Sequence, residues 1–209
     1  MATTSNYGWT TPDDSSLVKD GASAIRALGT AIDTSMNTAL GTKKAGMVLL
    51  NTTSFSAVAS QSINDVFSAT YENYLVIVTL TAASGNPSIN LRLRVSGSDD
   101  TAGNYNTGGF ICRTTSSTLG GQDANAQTSF ELGGMASTST QNSYVMEILK
   151  PFIAERAGFR VSAGGSDSTS GYGRYTAGFH NANTSYTGFS VFCSTGTITG
   201  KVATYGRNF

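Results

Sequence analysis

Ser88-Ile89-Asn90-Leu91-Arg92-Leu93-Arg94-Val95 alternates without a break. In an extended chain, Ile89, Leu91, Leu93 and Val95 fall on one side and Asn90, Arg92 and Arg94 on the other. The stretch predicts a β-strand with one face buried. Just before it, residues 73–83 (Asn-Tyr-Leu-Val-Ile-Val-Thr-Leu-Thr-Ala-Ala) are nearly all apolar, which predicts a strand covered on both faces. Working outward, strand-like segments recur at 47–53, 108–113, 128–132, 144–149, 159–163, 175–180, 189–193 and 198–205. Clusters of Gly, Asn, Asp and Ser separate them, as at 83–87 and 164–168. Short strands at this spacing predict a mainly β chain, a jelly-roll-like antiparallel β-sandwich over residues 42–209.

Upstream the pattern changes. Val18, Ile25, Ile32 and Ala39 recur every seven residues, with Leu28, Ser35 and Met36 in companion positions. A stripe at this period predicts one α-helix over 17–41 that presents a seam to a partner. Residues 17–40 would span about 36 Å as a helix. The flanks (Lys19, Asp20, Arg26, Asp33, Asn37) are polar, and isolated helices of this length are marginal in water. The stripe therefore needs a cover. Either the chain's own β domain or a second copy could supply it, and the heptad favours the copy. Before the helix, residues 1–16 read as an irregular polar arm that holds Tyr7 and the only tryptophan, Trp9. A turn at 12–16 and a linker at 41–46 bracket the helix.

Composition narrows the function classes. Charged residues are 12% of the chain, with 13 basic against 13 acidic side chains, so no basic field exists for nucleic acid. Hydrophobic residues are 39%, including ten Phe and nine Tyr, enough for a core. The longest apolar run, 74–80, is too short to cross a bilayer, so no membrane insertion is expected. The first residues show no charged segment followed by an apolar one, and no secretory signal is expected. Cys112 and Cys193 are the only cysteines and have no metal or redox spacing; they read as buried strand thiols.

Catalytic groups are scarce. His180 is the only histidine, sits at a predicted strand end, and reads as a surface or interface side chain. The β domain has few acids from which to draw a glycosidase pair. Asp99-Asp100 reads as a turn stabilised by Asx hydrogen bonds. No zinc, EF-hand or phosphate-loop spacing occurs, and neither metal nor cofactor is expected. Gly120-Gly121 and Gly133-Gly134 read as turns or bulges. Asn51-Thr52-Thr53 and Asn183-Thr184-Ser185 match the glycosylation pattern, which the missing secretory signal leaves unsupported. The best binding hint is aromatic. Tyr105, Tyr172, Tyr175 and Tyr186 lie among Gly, Asn, Ser and Arg. Exposed tyrosines of this kind, with His180 beside them, suit a sugar or a protein partner, while packing at sheet edges or between subunits is the plainer reading.

Asn6-Tyr7-Gly8-Trp9-Thr10, then 17–22 and 25–29, followed by Ile63-Asn64-Asp65-Val66-Phe67, Tyr71-Glu72-Asn73-Tyr74, Met146-Glu147-Ile148, Pro151-Phe152 and Tyr205-Gly206-Arg207-Asn208, form a series of landmarks. Together they resemble bacteriophage tail-fibre, minor-tail and head-fibre structural proteins. The resemblance implies a non-enzymatic homotrimer. An attachment arm (1–16, with Tyr7 and Trp9 docking into the particle) precedes a helical stalk joined through Val18, Ile25, Leu28, Ile32 and Met36, and then a distal β domain. It implies a virion protein made in the host cytoplasm, with other virion proteins as partners and a host-surface glycan as a candidate receptor. The leading expectation is a tail fibre or appendage acting in host adsorption. The alternative is a capsid-bound head fibre or decoration protein. A depolymerase tailspike is disfavoured by the shortage of acids and of β-helix repeats. A freestanding carbohydrate-binding module would leave the arm and stalk unexplained.

Overall fold

The computed structural model describes residues 2–12, 17–40, 46–139 and 141–207. Of the turn read at 12–16 and the linker read at 41–46, residues 13–16 and 41–45 lie outside them, as does Asn208. The chain divides into two compact units, Met1–Gly46 and Met47–Phe209.

In the first unit, β1 (Ala2–Thr3) and β2 (Thr10–Thr11) pair antiparallel, so the expected irregular arm is a small hairpin. Gly8 closes its turn at φ +65°, a conformation open to residues without a Cβ. The Gly8 amide donates to Thr4 O and the Thr4 amide to Trp9 O, each at 2.9 Å. A 3-10 turn, Val18–Asp20, leads into α1 (Gly21–Leu40). The regular helix thus starts at Gly21 rather than 17 and is about 30 Å long. It has no acidic residue in its first turn and no basic residue in its last, so side-chain charge does nothing to offset its dipole. Among the described residues of this unit, none is fully buried.

The second unit is all β. Its strands in order are β3 (Met47–Val58), β4 (Ser60–Ile63), β5 (Asn73–Ala83), β6 (Ser88–Val95), β7 (Ser98–Asp99), β8 (Tyr105–Arg113), β9 (Ser116–Gly121), β10 (Ala124–Gln127), β11 (Phe130–Gly134), β12 (Asn142–Leu149), β13 (Ala157–Ser166), β14 (Gly171–His180), β15 (Gly188–Cys193) and β16 (Ile198–Arg207). They form two antiparallel sheets. The larger runs β10-β8-β14-β13-β12-β5-β16-β3, with β9 also on β8. The smaller runs β11-β6-β15-β4, with β7 also on β6. The core is one cluster drawn from both sheets, which makes the unit a β-sandwich.

Register explains that core. Across the larger sheet, Tyr74, Ile148 and Phe159 are successive neighbours, as are Val76, Met146 and Val161, and Val78, Tyr144 and Ala163. From the smaller sheet, Ile89, Leu91 and Leu93 meet them, together with Phe130, Leu132, Phe189 and Val191. The Phe130 and Phe159 rings lie 3.9 Å apart, centroid to centroid, and join the two sheets. Each such side chain contributes about 1.5–3 kcal/mol on burial. The even-numbered residues of β5 account for its buried face, but Leu75, Ile77 and Thr79 on the other side are only half-buried. The expectation of full cover on both faces of this strand therefore fails within one chain.

The Gly133-Gly134 bulge is present. The register of β11 on β6 shifts between Glu131 and Gly133, and Gly133 sits at φ +151°. A Cβ there would lie 2.5 Å from the Tyr172 hydroxyl. Gly120-Gly121, by contrast, lie inside β9. The cysteines depart from expectation as well: Cys112 is exposed and Cys193 half-buried. Cys112 ends up outside because its strand position shares the outward phase of Phe110.

Candidate functional site

Four regions of the molecule bear on function. In the first unit, the rings of Tyr7 and Trp9 stack 5.1 Å apart at an interplanar angle of 14°. The Trp9 indole N–H donates to Ser35 Oγ of α1 at 2.8 Å, so the hairpin is folded onto the helix. Tyr7, Trp9, Ser35 and Met36 enclose a small apolar pocket of about 110 Å³. Tyr7 stays 69% exposed. The hairpin covers one edge of the helical stripe, where Leu28, Ile32 and Ser35 are half-buried. Val18 and Ile25 are open, at 97% and 65% exposed, and Met36, which lines that pocket, is still 53% exposed. The side chain of Ala39 is outside the described set.

The tyrosine cluster is a correction. Tyr105, Tyr172, Tyr186 and His180 are buried, and of the expected receptor-contacting residues only Tyr175 lies at the surface. The cause is that each phenol finds an internal partner, so its ring can fill core while its hydroxyl stays bonded. Tyr105 Oη accepts the Leu93 amide at 3.0 Å and donates to Asp100 O at 2.9 Å. Tyr172 Oη donates to Gly134 O at 2.7 Å, where Tyr144 Oη and Asn142 Nδ2 also donate. Tyr186 Oη donates to the Asp100 carboxylate. Burial raises the pKa of all three phenols.

His180 closes this second cluster. Its Nδ1 lies 3.4 Å from Tyr186 Oη, its Nε2 lies 3.4 Å from Asp100 Oδ2, and its ring meets that of Tyr105 edge-on at 4.4 Å. Burial lowers its pKa, against the opposing pull of the Asp100 carboxylate. Burial thus disfavours the charged imidazole, which is walled in rather than the surface or interface side chain expected. Asp100 also shows the expected Asx bond, accepting the Ala102 amide at 2.9 Å. The cluster ties the β7–β8 connection to β14 and to the 181–187 segment.

The third region is the outer face of the larger sheet. Ala203, Ile77, Val145, Ser162, Tyr175 and Phe110 are successive cross-strand neighbours on it. Phe110 and Tyr175 pair at 5.9 Å, and Arg156 sits 5.0 Å over the Phe179 ring. Val145, Phe110, Tyr175 and Phe179 are each at least 38% exposed. Glu147 receives Arg207 at 2.6 Å and Arg160 at 3.5 Å near the middle of this face.

The fourth region went unnoticed in the sequence. Arg174 occupies an inward position of β14, next to Ala163 and Ile111, and its side chain is only 6% exposed. Its Nη1 donates to Glu131 Oε1 at 2.6 Å, while its buried Nε finds no partner among the described residues. The guanidinium lines two polar lobes of about 210 and 260 Å³ that share Gln122, Glu131 and Arg174. A second ion pair stands in one lobe, with Arg113 Nη1 donating to both Asp167 oxygens at 2.9 and 2.8 Å. Burial opposes ionisation of Asp167, but the Thr169 and Ser170 amides and Arg113 outweigh it and hold its pKa low. A signal was there in the sequence. Tyr172, Arg174 and Thr176 share one phase of a strand, which places a charge in line with core residues.

Among the described residues, no group of three His, Cys, Asp or Glu side chains is placed to hold a metal ion, and no helix is long and apolar enough to cross a membrane. Comparison with family models, with curated proteins and with solved structures gives no match.

Proposed function

We propose that this chain is a non-enzymatic structural protein of a bacteriophage particle, an appendage that assembles as a homotrimer and serves host attachment. One observation carries the reading: each unit leaves an apolar surface in water. In the helical unit it is formed by Val18, Ile25 and Met36. On the sandwich it is the outer sheet face with Phe110, Val145, Tyr175 and Phe179. Apolar area left in water costs roughly 25 cal/mol per Å², and contiguous patches of this kind mark association surfaces. A protein built to pack against copies and neighbours has a use for both.

The sandwich suits a jelly roll within this reading. Consecutive strands β4, β5 and β6 alternate between the sheets, and β15 inserts between β4 and β6. The number three comes from the resemblance to phage fibre proteins. Tyr7, stacked on Trp9 and still exposed, is the candidate contact to another virion protein.

The test is to localise the chain in intact particles by antibody labelling and low-resolution imaging, with the mass of the purified protein measured beside it. A trimer at the tail supports the fibre reading. A trimer regularly spaced on the capsid supports the head-fibre or decoration alternative. A monomer absent from purified particles overturns both.

A further inference from the structure

The polar cleft around Arg174 takes no part in the association reading above, and its construction points to a ligand. The smaller sheet ends at β11, whereas the larger continues past β14 to β8, β9 and β10. The inward face of those last strands is left without a full facing layer, and the two lobes lie there. Together they fall within the range of small-molecule sites, roughly 300–1,000 Å³. Such a gap would normally be filled by apolar side chains. Here it is lined by Asn90, Gln122, Gln127 and Ser129 with the two ion pairs.

Several of these groups are set by local bonds. Gln122 Nε2 donates to Gly121 O and Gln127 Nε2 to Asn125 O, each at 2.8 Å. Ser129 Oγ donates to Asn90 Oδ1 at 3.3 Å. The amides thus present carbonyl acceptors beside guanidinium donors. Beneath them lies the Arg174 Nε–H, buried and without an acceptor among the described residues, a costly arrangement unless an oxygen reaches it.

Charge selects the ligand class. Arg174 is matched by Glu131 and Arg113 by Asp167, and Asp123 adds a further carboxylate to the lining. With two guanidinium groups against three carboxylates, a phosphate or acidic sugar would meet net negative charge, while an amine would find Glu131 and Asp167 already paired with guanidinium groups and only Asp123 left to it. An apolar ligand would strand the amides. We propose that this cleft binds a neutral saccharide, whose adjacent hydroxyls each donate and accept and so match paired amide, guanidinium and carboxylate groups. The site rests on the attachment reading for its biological setting alone: saccharide binding is read on the purified chain, particle association on the particle.

The experiment applies the full chain to a printed array of neutral and acidic glycans, then titrates the strongest neutral binder by saturation-transfer NMR, with inorganic phosphate as competitor. Two variants follow. Gln127→Ala changes an exposed rim group, and Arg174→Lys keeps the charge but removes the Nε donor. Thermal melts check that each remains folded. The proposal expects a neutral glycan to bind, phosphate not to displace it, and Gln127→Ala to weaken it by about tenfold. Capture of acidic glycans alone, displacement by phosphate, absence of any glycan signal, or equal binding by a folded Gln127→Ala protein would each overturn it.

Discussion

The two units of this chain stand at opposite ends of self-sufficiency. The sandwich buries a continuous core in which the Tyr74, Tyr105, Tyr144, Tyr172 and Tyr186 hydroxyls are bonded inward. The hairpin and helix bury no described residue fully, and an apolar edge faces water. Sheet pairing lets distant segments share one core, whereas a single helix covered by a short hairpin has too little surface to enclose anything. The sandwich is thus built to fold on its own contacts, whereas the first unit leaves apolar surface uncovered.

The sharpest way to break this comparison is in the core. Phe159→Ala removes a buried ring packed on Phe130 and is expected to lower sandwich stability by about 3–5 kcal/mol in denaturant unfolding. No single substitution in residues 2–38 should approach that. A loss of similar size from Trp9→Ala would show the first unit to be a core in its own right.

Acid probes the His180 cluster. Because burial holds the folded-state pKa below the ordinary 6.5, the unfolded chain binds the proton first as pH falls. Stability contributed by neutral His180 is therefore present above about pH 6.5 and declines as pH drops toward the folded pKa. The slope from this group cannot exceed about 1.4 kcal/mol per pH unit. Melting curves between pH 7 and 5 should show a decline in wild type that is shallower in His180→Gln. An equal decline in the variant would place the titrating group elsewhere.

A smaller contrast separates two tyrosines three residues apart in β14. Tyr172→Phe deletes a buried hydroxyl bonded to Gly134 O and should cost about 1 kcal/mol. Tyr175→Ala alters an exposed ring and should stay within about 0.5 kcal/mol by the same unfolding assay. A reversed order would undo the assignment of Tyr172 to the core.

This pair also shows how far the sequence could be read. Strand-like runs between Gly, Asn, Asp and Ser clusters located β6 and the β12–β16 strands, and in β6 one face is apolar and the other polar. They missed β4, β9 and β10, whose Ser, Gly, Gln and Asn residues carry no hydrophobic phase. They could not tell Tyr172 from Tyr175, since both stand among Gly and Ser. Their opposite fates follow from strand phase and from an acceptor, Gly134 O, supplied by a bulge in the other sheet. The cleft was legible only as a charge in phase with core residues. Its walls come from β6, the β9–β10 connection and β11, which no local pattern brings together.

The central claim is that the open edge of the helical unit is where copies meet. Sedimentation at micromolar concentration tests it directly, with wild-type protein run beside the Ile25→Asp, Ile32→Asp double variant. The account predicts a wild-type species of three chains and a smaller or loosened species for the variant, since charge without partners is costly to bury, with sandwich melting unchanged in both. A wild-type monomer, or a trimer indifferent to the two aspartates, would contradict it.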